Sequence, residues 1–168
     1  RGAVHAVGGR HSFSAIADTQ GTLVSLEAFN ELRVDRDAAT ARVGAGVKYS
    51  DLCPELQRQG FAVENLASLP HICVVGACST ATHGSGTRNL ANAVTAIEFI
   101  DGRGQRVVLS DQDDDFHGVV VGLGAVGIVT GVTLRLLPSF DVRQWVWENM
   151  PLAQYADNFD EIIASGYS

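Results

Sequence analysis

Glycine constrains this chain more than any other residue type. Eighteen glycines stand against four prolines, and they gather in clusters instead of spreading evenly. Clustered glycine marks tight turns, or backbone that passes close to a ligand. Hydrophobic residues make up 46% and charged residues 18%, which excludes a disordered or fibrous chain. The 168 residues suffice for one domain or for two small lobes.

Between the glycine clusters lie short β-branched runs. Val4 and Ala6 lead into the loop GGRHSFS, and Thr22 to Leu26 reads as a strand. Leu32 to Asp35 and Thr40 to Val43 read as strands joined by the turn RDAA. Ser50 is a candidate cap for a helix running to Gln59 and closed by Gly60, with Pro54 tolerated early in it. Leu66 to Gly86 has no sustained period and reads as ordered loop with one helical turn. Val94 to Ile100, the turn DGRG and Gln105 to Leu109 form a hairpin. Ser110 and the acidic run after it predict a helix over Asp111 to Val121. Ile128 to Leu137 and Val142 to Trp147 predict strands, and Pro151 starts a helix to Ala164. The expected class is α+β, mostly antiparallel.

Twelve basic against nineteen acidic residues give a net charge of −7. That balance argues against nucleic acid and against an anionic membrane surface. An anionic cofactor stays open, because backbone N–H groups hold phosphates without any lysine. Cys53, Cys73 and Cys78 have no framework spacing and read as reduced thiols of a cytoplasmic chain. No signal peptide is visible, and the uncharged run Gly118 to Leu134 is too rich in glycine to be read as a membrane span. Arg1 opens the chain inside an alternating apolar run, and no methionine precedes Met150, so the sequence reads as part of something longer.

Gly122, Gly124 and Gly127 spell G-x-G-x-x-G, but a β-branched run follows where the dinucleotide fingerprint needs a helix. His71, Cys73, Cys78 and His83 have the makings of a zinc site, yet their pairs are mixed and the residues between them are apolar. What remain are two small-residue loops that each hold a histidine: Ala6 to Ser14 and Ser68 to Gly86. Each reads as a structural turn or as a ring of amides and hydroxyls around a pyrophosphate. Read from the residues alone, these features leave open a small-molecule-binding module without chemistry and a zinc-stabilised domain.

Taken together, GGRHSFS, SLPHICVVGACSTATHGSG, DGRG and FHGVVVGLGAVGIVTGVTLRLLPSF resemble the FAD domain of the vanillyl-alcohol-oxidase-type flavoproteins, and among them the alditol and aldonolactone oxidases. The resemblance implies two small α+β subdomains cradling an extended FAD over residues 1–138, with 139–168 starting a substrate cap domain. It implies a covalent bond from His11 to the flavin 8α-methyl, and a pyrophosphate ringed by Ala6, Val7, Gly8, Gly9, Arg10 and Ser12. It also assigns Ser68 to the substrate side of the flavin, and Cys73, Gly76, Ala77, Cys78 and Ser79 to a second FAD loop, with His83 close by. Ile128 matches a backbone contact to the adenine. Cys73 departs from a usual serine, Ser79 from alanine and Ala67 from glycine. The implied reaction is oxidation of a CH–OH group of a polyol or sugar, with O2 as acceptor, the catalytic residues coming largely from the cap. No metal is implied.

Overall fold

The computed structural model describes residues 2–84 and 88–166. Ser85 and Gly86, the end of the second small-residue loop, lie outside the described residues. The architecture is α+β. Five antiparallel strands form the main sheet: β3 (Leu32–Asp35), β4 (Thr40–Gly44), β6 (Val94–Ile100), β7 (Arg106–Ser110) and β8 (Ile128–Arg135), in the order β3-β4-β8-β6-β7. One face is apolar: Ala41, Val43, Ile97, Phe99, Val132 and Leu134 project from it. It packs under α1 (Tyr49–Arg58) and α2 (Val74–Ser79), which contribute Leu52, Leu56, Val74 and Cys78 to one core. A smaller unit precedes the sheet. In it β1 (Val4–Val7) pairs in parallel with β2 (Thr22–Ser25), and the connection between them carries the first glycine loop. The minor pair β5 (Phe61–Ala62) and β9 (Leu137–Pro138) closes the α1 end.

Several sequence expectations need correction. The first unit contains a parallel pair and one turn of 3-10 helix, and among the described residues it has no α-helix. The helix at 49–58 is entered from Lys48, not capped by Ser50. The amides of Tyr49 and Ser50 donate instead to the carbonyls of Ile72 and Pro70, 3.2 and 2.8 Å away. The expected helix 111–121 shrinks to α3 (Phe116–Val120), because Asp113 accepts from both the amide and hydroxyl of Ser110 and folds the acidic run into a turn. Residues 142–147 form no strand. The last helix divides into α4 (Leu152–Asp157) and α5 (Phe159–Ala164) at Asn158, whose side-chain amide donates to the Gln154 carbonyl. Among the described residues no helix is long and apolar enough to cross a membrane. The run 118–134 divides between α3, a glycine turn and β8.

The second face of the main sheet is polar and carries a ladder of charge. Arg42 on β4 reaches across β8 to Glu98 on β6, with Nε 2.7 Å from Oε1. It passes over Gly131 on β8, where a Cβ would meet the guanidinium at ordinary contact distance, 3.6 Å. Arg106 on β7 donates to the other Glu98 oxygen at 2.8 Å, and Glu31 takes the far side of Arg42 at 2.7 Å. Arg42, outweighing burial and joined by Arg106, holds the Glu98 carboxyl at about 2, against an ordinary 4.5. Because the folded-state value is depressed, its contribution is full above 4.5 and is lost as pH falls toward about 2. The difference in unfolding free energy between wild type and Glu98→Gln is therefore expected to be constant near neutrality and to shrink on acidification through that window. Chemical denaturation at a series of pH values measures it.

Candidate cofactor site

The first glycine loop leaves the end of β1 and lies directly on the segment that enters α2. A Cβ on Gly8 would come 3.3 Å from the Cys73 sulfur, and one on Gly9 would come 3.3 Å from the Cys73 amide nitrogen. Glycine is needed here for close approach, not for an unusual backbone angle. The bend falls one residue later, at Arg10, which takes the left-handed region with φ +54°. Ser12 and Ser14 then close a small hydroxyl-bonded turn. Among the described residues, the amides of Gly8, Arg10, His11 and Ser12 donate to no protein acceptor. A row of free N–H groups in one loop is the donor set an anion requires.

His11 is held edge-on between two rings: Phe13 at 5.1 Å and His71 at 5.2 Å between centroids. Phe13 itself is 98% exposed. Cys73 occupies the floor. Its thiol faces the Gly46 carbonyl at 3.8 Å and receives the Gly9 N–H. Burial pushes this thiol up, and the Gly9 amide and the Lys48 ammonium partly offset it. A thiol is a weak hydrogen-bond partner, so the contact holds the loop more by packing than by bonding.

Residues 74–79 form a six-residue helix, not a loop, and it presents two kinds of side chain. Val74, Val75, Ala77 and Cys78 point into the core, where Cys78 is 1% exposed and burial pushes its thiol up to about 12. Gly76 faces outward, and a Cβ there would meet nothing within 4 Å. The Ser79 hydroxyl is turned back onto the Val75 carbonyl at 2.9 Å. Gly76 is therefore the position of this helix that a bound group would meet, since Ala77 and Cys78 are buried and the Ala77 amide donates to the Cys73 carbonyl at 3.1 Å. At the far end of the helix, Leu123 (φ +52°) donates its amide to the Ser79 carbonyl. The G-x-G-x-x-G segment is thus a turn docked on α2, followed by β8.

The structure brings together Gly8, Gly9, Arg10, His11 and Cys73, with Gly76 on the same helix that Cys73 leads into. Ala6 and Val7 lie on β1 just before the loop. Ser68 is exposed on the segment approaching Pro70, and His83 is bridged to Asn89 with Nδ1 3.1 Å from the Gly84 carbonyl. Ile128 is half-buried, paired with Ile100 on β8. Among the described residues, no hydrogen bond or ring contact joins these three to the first loop. His71 and His83 are exposed while Cys78 is buried, so the zinc spacing does not converge.

Sequence reading missed Glu27, Gly46 and Lys48, which with Gly8, Gly9, Arg10 and Cys73 line a pocket of about 240 Å³. It also missed His71 as the partner of His11. Lys48 carried one usable signal, since it is the only lysine in the chain.

A narrow ledge of free amides over glycine is what a pyrophosphate would fit, and a family model named FAD binding domain matches residues 1–110. The chain belongs to that family. An alditol oxidase from a Streptomyces species is 42% identical over 163 residues, covering 94% of this chain and 39% of that protein. An L-gulono-1,4-lactone dehydrogenase from Mycobacterium tuberculosis is 32% identical, covering 95% and 38%. Among solved structures, a cholesterol oxidase from Brevibacterium sterolicum superposes with a TM-score of 0.74 at 18% identity, covering 82% of this chain and 30% of its own. The chain spans about two fifths of the length of these two curated relatives. It is an FAD-binding domain of the vanillyl-alcohol-oxidase type.

Gly76 separates folding from binding. Gly76→Leu meets open space and replaces a helical glycine, so the cofactor-free protein should melt at or above the wild-type temperature. The same side chain would stand on the outward face of α2, so FAD retention through gel filtration should drop. Melting curves and the flavin absorbance of the eluted protein check both halves.

Proposed function

We propose that the complete protein is an FAD-dependent oxidase acting on CH–OH groups of sugar alcohols or related sugars. The observation that carries this reading is the loop Gly8–Ser12, with its free amides and its histidine presented against Cys73 and His71. The 42% identity to an alditol oxidase supports the substrate class. The flavin supplies hydride acceptance from a carbinol carbon, with reoxidation by O2 to hydrogen peroxide.

The chain's own residues bind and orient. Gly8, Arg10 and Ser12 hold the pyrophosphate through free backbone amides, while Ala6 and Val7 on β1 and Gly9 on the Cys73 thiol shape the loop that presents them. Cys73 and Gly76, on the outward side of α2, carry the flavin half, with Ala77, Cys78 and Ser79 shaping the helix behind them. Ser68 faces the substrate side, His83 flanks the second loop, and the Ile128 backbone meets the adenine. His11, exposed and in edge contact with Phe13 and His71, is the covalent attachment point, an imidazole accessible to a group bound at the loop. Residues 1–138 form the FAD domain, and 139–168 begin the domain that shapes the substrate pocket. Supporting this boundary, α4 and α5 have no buried residue, while Leu152 is 80% and Ile163 62% exposed. The groups that polarise the substrate lie outside these residues.

A second reading is oxidation of an aldonolactone, supported by the 32% identity to the gulonolactone dehydrogenase. Peroxide formation with xylitol or sorbitol, compared with dye reduction by L-gulono-1,4-lactone, decides between the two. Residues 1–168 alone should turn over neither substrate. In the complete protein, His11→Ala should leave FAD reversibly bound, with no flavin on the acid-precipitated polypeptide. A precipitate that stays yellow and fluorescent would move the bond elsewhere.

A further inference from the structure

We propose that Lys48 is a cofactor-binding residue whose ammonium neutralises the phosphates held at the Gly8–Ser12 loop. The proposal rests on the placement of the pyrophosphate at that loop and adds to it a charge that amides do not supply. A chain of net charge −7 repels a dinucleotide at long range, so a cation at the phosphate site has work that a neutral ledge cannot do.

Lys48 is the only lysine among twelve basic residues, and it lines the pocket that Gly8, Gly9 and Arg10 form. Its backbone is tightly placed. It bridges Cys73 as an isolated antiparallel pair, flanked by the Val74 amide on the Val47 carbonyl at 3.0 Å and the Tyr49 amide on the Ile72 carbonyl at 3.2 Å. The residue is half-buried, yet no carboxylate among the described residues comes within ion-pair distance of it. By contrast Arg33, Arg42, Arg58, Arg88 and Arg106 are all paired. A partly desolvated cation with no internal partner, facing free amides, calls for an anion from outside.

Glu27 lines the same pocket without pairing to Lys48. The pocket therefore offers a cation and amides for phosphate next to an acceptor for hydroxyl groups. That is the mixed character of a ribose diphosphate, not of a bare inorganic anion.

The test measures FAD affinity of the complete protein by quenching of flavin fluorescence, with His11→Ala in every variant so that binding stays reversible. Lys48→Gln is expected to weaken FAD about tenfold or more, and ADP as a competitor equally, with a shallower salt dependence. Riboflavin, which lacks phosphate, should bind the variant and its parent alike. Lys48→Arg should restore most of the affinity, which guards against a folding defect. FAD affinity within about twofold of the parent in Lys48→Gln would overturn the assignment. So would an equal loss of riboflavin, which would mark a role in the fold of the site and not in phosphate binding. A parent protein that takes up neither FAD nor ADP would instead remove the reading of the site beneath it.

Discussion

Everything proposed for this domain depends on how closely the backbone at Gly8 and Gly9 approaches Cys73. Two missing Cβ atoms let the loop rest on the start of α2 at van der Waals distance. That contact turns the amides of the next residues away from the protein and toward one ledge. It also sets the His11 ring edge-on to the His71 ring, 5.2 Å between centroids. A larger residue at either glycine would lift the loop, and both the donor row and the ring would move with it.

The five-stranded sheet makes this contact reproducible. Its apolar face fixes α1 and α2 through one shared core, and Lys48 and Cys73 bridge the entries to the two helices. Helix ends are thereby tied to each other by backbone instead of by side-chain caps, and neither α1 nor α2 uses one. The opposite face, with Arg42 crossing over Gly131 to Glu98, locks the register of β4, β8 and β6 without taking part in the site.

Much of this was legible in the residues. Period-two runs marked the strands and hairpins, and the β-branched run after Gly127 correctly argued against a dinucleotide fold of the Rossmann kind. The two small-residue loops pointed to an anionic cofactor even though the chain is acidic. What escaped was decided partly by local side-chain bonds and partly by distant backbone. Asp113 took the Ser110 donors and shortened a helix, and Asn158 divided another by bonding the backbone. The amides expected to need Ser50 were met by Pro70 and Ile72, far along the chain. Lys48 and His71 escaped for a different reason: the one is marked only as the sole lysine and the other only by a zinc-like spacing, and each acquires its place in the site from the residue it faces.

The central claim is that one ledge, made by residues 8–12 and the start of α2, carries the cofactor. Hydrogen–deuterium exchange of the complete protein with and without FAD tests it most directly, because the donor row has no internal acceptor and exchanges freely until a ligand covers it. The account expects protection on FAD addition to concentrate in peptides covering 8–12 and 71–79. Protection confined to the glycine turn at 122–127, with 8–12 still exchanging freely, would contradict it.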